Sequence, residues 1–99
     1  MKTSELSGAA LDWAVMQCRG LAWALHGRVA FSTDWAHGGP IIERERIELR
    51  GDGDKGWIAD DNLNPSQRGP TPLIAAMRCY VASVLGDEIE IPATLLETV

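Results

Sequence analysis

The sequence is short of almost every feature that announces a chemistry. It has two cysteines, Cys18 and Cys79, far apart and both inside apolar helical patterns. No Cys-x-x-Cys or Cys/His spacing of a zinc site is present, so both read as buried, reduced thiols. There is no Gly-x-Ser-x-Gly, no phosphate-binding glycine loop and no cysteine placed beside a histidine. No apolar run approaches the roughly 18 residues that span a bilayer. The opening residues 1–7 lack the apolar core and cleavage site of a secretory signal. A soluble, cytoplasmic chain with no membrane partner is expected.

Basic charge is also scarce, and unevenly so. Residues 1–50 hold six basic and six acidic side chains, whereas residues 51–99 hold three basic and eight acidic. The second half therefore carries the whole net charge of −5. Generic DNA binding needs a basic footprint that displaces counterions from phosphates, so nucleic acid is not an expected partner.

What is present suffices for one packed domain over residues 1–99. The chain is 45% apolar with four tryptophans, near the common size for a single core. A first helix is expected over about residues 8–19, with Ser7 as N-cap, Leu6 stapled onto Leu11, and Gly20 as C-cap. Leu11, Ala14, Val15 and Cys18 form its buried stripe, leaving Asp12, Gln17 and Arg19 to water. Residues 21–26 are apolar but too short to classify. Residues 28–31 read as a short strand, and residues 32–45 as a loop in which Pro40 begins a short helical turn.

Alternation then places Ile47 and Leu49 on one face of a strand and Arg46, Glu48 and Arg50 on the other. Residues 51–56 are a hairpin turn by composition, although Asp52 and Asp54 superficially suggest a calcium loop. Trp57, Ile58 and Ala59 return, and a polar loop containing Pro65 fills residues 60–69. The long helix is the clearest element: Thr71 caps it, Pro72 takes its first position, and Gly86 lies past its end. Residues 88–91 form a last short strand before Pro92 and a tail bearing Leu95 and Leu96. The expected fold is α+β, a small, mainly antiparallel sheet of three to four short strands packed against two helices.

Candidate functional residues concentrate in one stretch. Asp34, Trp35, His37, Gly38, Gly39 and Glu43 place an indole, an imidazole, two glycines and two acids within a segment lacking a clear period, the usual character of a binding loop. Gly38 and Gly39 permit positive φ, and a helical turn starting at Pro40 would present N–H groups to an anion. Arg78, the only charged side chain on the long helix, either faces water or anchors a carboxylate or phosphate with its planar fork. Residues 68–72, Arg-Gly-Pro-Thr-Pro, offer a second anion-binding end. Asp34, His37, Glu43 and Glu45 invite a metal or acid–base reading, but a lone histidine among acids lacks zinc spacing. His26 has no partner pattern. No metal and no cofactor are expected.

Three stretches carry a family resemblance. They are Leu6-Ser-Gly-Ala-Ala-Leu-Asp-Trp-Ala-Val15, Ser32-Thr-Asp-Trp-Ala-His-Gly-Gly-Pro-Ile-Ile-Glu-Arg-Glu45 and Gly69-Pro-Thr-Pro-Leu-Ile-Ala-Ala-Met-Arg-Cys-Tyr-Val-Ala-Ser83. Together they resemble the NinX-type proteins of lambdoid bacteriophages and prophages. The resemblance implies a small accessory phage product acting inside a bacterial host, and it brings no catalytic residue or cofactor with it.

Three functional expectations stand side by side. The first is a non-catalytic binding module for a host or phage protein, whose acidic half suits a basic partner surface. The second is a binder of a small anionic ligand such as a nucleotide, with Trp35 stacking, Gly38 and Gly39 offering N–H groups, and Arg78 pairing with charge. The third is a hydrolase or transferase using Asp34, His37 or Glu43. A structural loop plugging the core with Trp35 and Ile41 is the plain alternative to all three.

Overall fold

The helix spanning Pro72–Leu85 organises everything else in the computed structural model, which describes residues 1–96. Numbered along the chain, the elements are α1 (Gly8–Cys18), α2 (Trp23–His26), α3 (Trp35–Glu45), β1 (Glu48–Gly51), β2 (Trp57–Asp60), β3 (Gln67–Gly69), α4 (Pro72–Leu85) and α5 (Ala93–Leu96). The central helix α4 touches all three strands and both α1 and α3. The sheet is antiparallel in the order β1-β2-β3, which makes the fold α+β as expected. Register runs from Glu48 opposite Asp60 to Gly51 opposite Trp57, and Trp57 in turn faces Gly69.

The core has a simple origin. Leu6, Leu11, Val15 and Met16 from the first helix region meet Met77, Cys79 and Val81 of α4, with Phe31, Ile41 and Ala59 closing the sides. Each large side chain buried this way contributes roughly 1.5–3 kcal/mol. Local chemistry sets the ends of α4: Thr71 Oγ1 accepts the Ile74 N–H at 3.1 Å, and Pro72 opens the first turn. The first helix ends at Cys18, with Arg19 rather than Gly20 as C-cap and Gly20 just beyond it at φ 70. There Leu21 N–H reaches the Met16 carbonyl and Gly20 N–H that of Gln17. Ser7 occupies the N-cap position, but its side chain makes no cap hydrogen bond.

Several local expectations are corrected. Residues 35–45 are helix, not loop, and Pro40 lies inside α3 rather than opening a turn. Asp34 starts that helix by accepting the Ala36 N–H at 2.9 Å. Neither Gly38 nor Gly39 has positive φ. Residues 28–31 pair with no strand among the described residues; Phe31 drops into the core and Arg28 reaches Asp12 instead. The polar loop after β2 contains a third strand, because Gly69 lets β3 lie directly on α4, where a Cβ would come within 2.6 Å of the Ala75 nitrogen. Residues 88–91 reduce to one antiparallel bridge, Lys2 opposite Glu88.

The correction at Asp12 is the most informative. That residue does not face water; it is fully buried. One carboxylate oxygen takes the Arg28 Nε–H at 2.8 Å and the other takes the Ser32 backbone N–H at 2.8 Å. A periodic reading of α1 alone has no means of seeing that a later segment would cover this acid. In the tail, Leu95 lies in α5 and donates its backbone N–H to the Pro92 carbonyl.

Candidate functional site

The expected site residues separate into three places. Asp34 and Trp35 open α3, both about half exposed. Trp35 lines a cavity of about 230 Å³ with Ser32, Thr33, Thr71, Pro72 and Ile74. His37 points elsewhere, edge-on to the Phe31 ring at 6.1 Å, into a mainly apolar groove rimmed by Arg19 and Arg44. There Arg44 is bound to Glu45, whose hydrogen bond raises its already high pKa. Glu43 is exposed, and its six-residue offset from His37 puts it about a third of a turn away around α3.

The glycines do structural service. Gly38 is buried where a Cβ would sit 2.5 Å from the Phe31 carbonyl oxygen and 2.5 Å from Leu73 Cδ2. Its N–H already bonds the Asp34 carbonyl at 2.9 Å, so it offers nothing to an anion. Gly39 lies beside the Trp35 ring, with ordinary contact distance to spare. Asp34 and His37 approach to 3.9 Å, but one Asp34 oxygen is already engaged in capping. Among the described residues no three His, Cys, Asp or Glu side chains gather as metal ligands would. Burial pushes both thiols up to about 12, so Cys18 and Cys79 stay protonated near neutrality and are poor nucleophiles there.

Arg78 stands apart from the Gly-Gly segment, in a groove of about 500 Å³ at the end of β3. Its Nε–H donates to the Leu6 carbonyl at 2.7 Å and its Nη1 to the Arg68 carbonyl at 2.8 Å. These bonds fix the guanidinium in place. They use two of its five donors and leave three for another acceptor. Partial burial lowers its pKa, yet arginine remains a cation at any physiological pH. Lys55 and Arg68 line the same groove, with Ser4, Ser66 and Gln67 between them.

The acidic half of the chain has three basic residues, Lys55, Arg68 and Arg78, and all three meet here. Arg68 is held by Asp52. Among the described residues neither Lys55 nor Arg78 has a carboxylate at ion-pair distance. The result is a cationic pocket on an acidic protein. The Arg-Gly-Pro-Thr-Pro segment signalled part of it in the sequence. Ser4, Lys55 and Ser66 gave no signal, because only the β2–β3 pairing and the packing of residues 3–6 against α4 bring them near.

No helix of the described residues is long and apolar enough to cross a membrane. No curated protein matches the sequence. A family described as Bacteriophage P22, NinX matches residues 2–84, which include every element that builds these cavities. The chain belongs to that phage NinX family.

Proposed function

We propose that this phage-family protein is a non-catalytic binding module that captures an anionic group, a carboxylate or phosphate, in the Arg78 groove. One observation carries the reading: the only three cations of an acidic half converge on one groove, and Arg78 is pinned there by carbonyls rather than neutralised by an acid. A preoriented guanidinium donates paired hydrogen bonds without first losing rotamer freedom. Lys55 adds a mobile charge, and the hydroxyls of Ser4 and Ser66 can complete the anion's shell.

Calorimetric titration of pyrophosphate and citrate at low ionic strength tests it. Binding should weaken about tenfold in Lys55→Ala and at least as much in Arg78→Ala, each tenfold step being 1.4 kcal/mol. Lys55 is exposed, so its variant reports on the ligand and not on folding. Absence of binding by either anion at millimolar concentration would remove the proposal.

A protein partner is supported by a second, separate surface. Leu63 is 89% exposed and lines a cavity of about 280 Å³ with Val84, Ile47, Glu45 and Asp61. Slight burial raises the Asp61 pKa, but hydrogen bonds from the Asn64 side chain and the Leu63 and Asn64 N–H groups outweigh it and keep the carboxyl ionised. Apolar surface flanked by acids suits a basic, amphipathic segment of a host or phage protein. A partner recovered from infected cells by the native protein and equally by Leu63→Asp would refute this surface.

A further inference from the structure

We infer that the Trp35 cavity is a nucleobase pocket and that the anion in the Arg78 groove is the phosphate of the same nucleotide. The inference rests on the anion-binding reading above and names the ligand class.

The observations come from two independent directions. The first is Ser32. The residue is 2% exposed, and its Oγ is the one buried side-chain polar atom without a hydrogen-bond partner among the described residues. Native folds rarely leave a buried hydroxyl unmatched unless something else supplies the match. Ser32 lines the same cavity as Trp35, a residue 53% exposed despite its size. The cavity is thus walled by a half-exposed tryptophan and by a serine whose hydroxyl has no partner. Planar heterocycles with polar edges satisfy both requirements, by stacking and by hydrogen bonding at the rim. A purely apolar ring meets only the first.

The second direction is the placement of the two cavities relative to each other. Ile74 lines the Trp35 cavity and Arg78 lines the cationic groove. They are four residues apart on α4, so they share a face, separated by one turn or about 6 Å along the axis. Both are partly exposed, as is Thr71 at the head of the same stripe. The connecting segment repeats the arrangement: Gly69 and Pro70 belong to the groove, Thr71 and Pro72 to the cavity. A ligand with a planar base at one end and a phosphate at the other, joined by a sugar, spans this ridge. Ser32 is itself held in place by Asp12, which takes its backbone N–H. The hydroxyl therefore sits on a fixed backbone.

Calorimetry on the 99-residue protein with AMP, ribose phosphate and phenyl phosphate tests the inference. AMP should bind about tenfold more tightly than ribose phosphate, and Trp35→Ala should abolish that difference while leaving ribose phosphate unchanged. Ser32→Ala should weaken AMP several-fold, leave phenyl phosphate unaffected, and not lower the melting temperature, since it removes an unmatched hydroxyl. Arg78→Ala should weaken all three compounds. If AMP and ribose phosphate bind equally and Trp35→Ala alters neither, the nucleobase pocket is wrong and the anion groove survives. If none of the three binds, both readings fall together.

Discussion

Helices α3 and α4 are built on opposite principles. The longer one is locally self-sufficient: Thr71 caps it, Pro72 occupies the position where its missing N–H is harmless, and Gly86 lies beyond its last residue. The shorter one breaks its own rules. Gly38, Gly39 and Pro40 sit in its middle, and its C-cap Arg46 adopts a left-handed conformation at φ 54 that glycine would fill more easily. By intrinsic preference such a segment loses about 1 kcal/mol at each glycine and about 3 at the proline. Tertiary contacts must supply what the sequence withholds. Gly38 presses onto the Phe31 carbonyl and Leu73, Ile41 enters the core, and Asp12 ties down Ser32 just ahead of the helix.

The sharpest way to break this contrast is at the close approach. Gly38→Ala should destabilise by about 3 kcal/mol, because one of the two clashes is with backbone that cannot swing aside. Chemical denaturation would measure it, and a loss below roughly 1 kcal/mol would mean that contact does not hold α3. Next in size comes the anchor. Asp12→Ala strands the buried Ser32 N–H and frees Arg28, at a cost of about 2–3 kcal/mol. Asp12→Asn keeps an acceptor for Ser32 and should lose less. Hydrogen exchange should show α3 amides opening before those of α4 in Asp12→Ala, since the lost bonds hold the segment leading into α3 and none of them involves α4.

Legibility in the sequence follows the same division. The ends of α4 are readable because their determinants, a cap, a proline and a glycine, lie within a few residues of each other, although Val84 and Leu85 in its apolar pattern are exposed. The β1–β2 hairpin is readable for the same reason, from alternation and a glycine-rich turn. Its first strand, however, begins at Glu48, since Arg46 is the left-handed C-cap of α3 and Ile47 lies between the two elements. By contrast α3 reads as a loop in the sequence, since its local signals oppose helix and its support comes from residues 12, 31 and 73. Asp12 reads as solvent-facing from α1 alone because its partners lie 16 and 20 positions ahead. The site divided likewise. Trp35 and Arg78 stood out as residues, but the cavities that hold them need Lys55, Ser4 and Ser32, which only the folded chain brings into place.

The cap of α4 gives a smaller and cleaner effect. Thr71→Ala removes the acceptor for the Ile74 N–H and should cost about 1 kcal/mol. Thr71→Ser should restore most of it. If Thr71→Ala proves as damaging as Asp12→Ala, α4 depends on its cap far more than local propensity allows.

The finest test exploits two adjacent glycines with opposite surroundings. At Gly39 an added Cβ meets only Trp35 Cε3, at 3.8 Å, an ordinary contact. The backbone there is helical with negative φ, so alanine fits without strain and reduces the freedom of the unfolded chain. Gly39→Ala should therefore stabilise by about 0.5–1 kcal/mol, the reverse in sign of its neighbour. Thermal melts of the two single variants read both effects under one condition. If both glycines resist alanine, α3 requires flexibility along its length rather than one close approach. If Gly39→Ala stabilises while Gly38→Ala unfolds, the glycine pair divides into a packing residue and a bystander, and α3 is shown to be weak by composition and firm by contact.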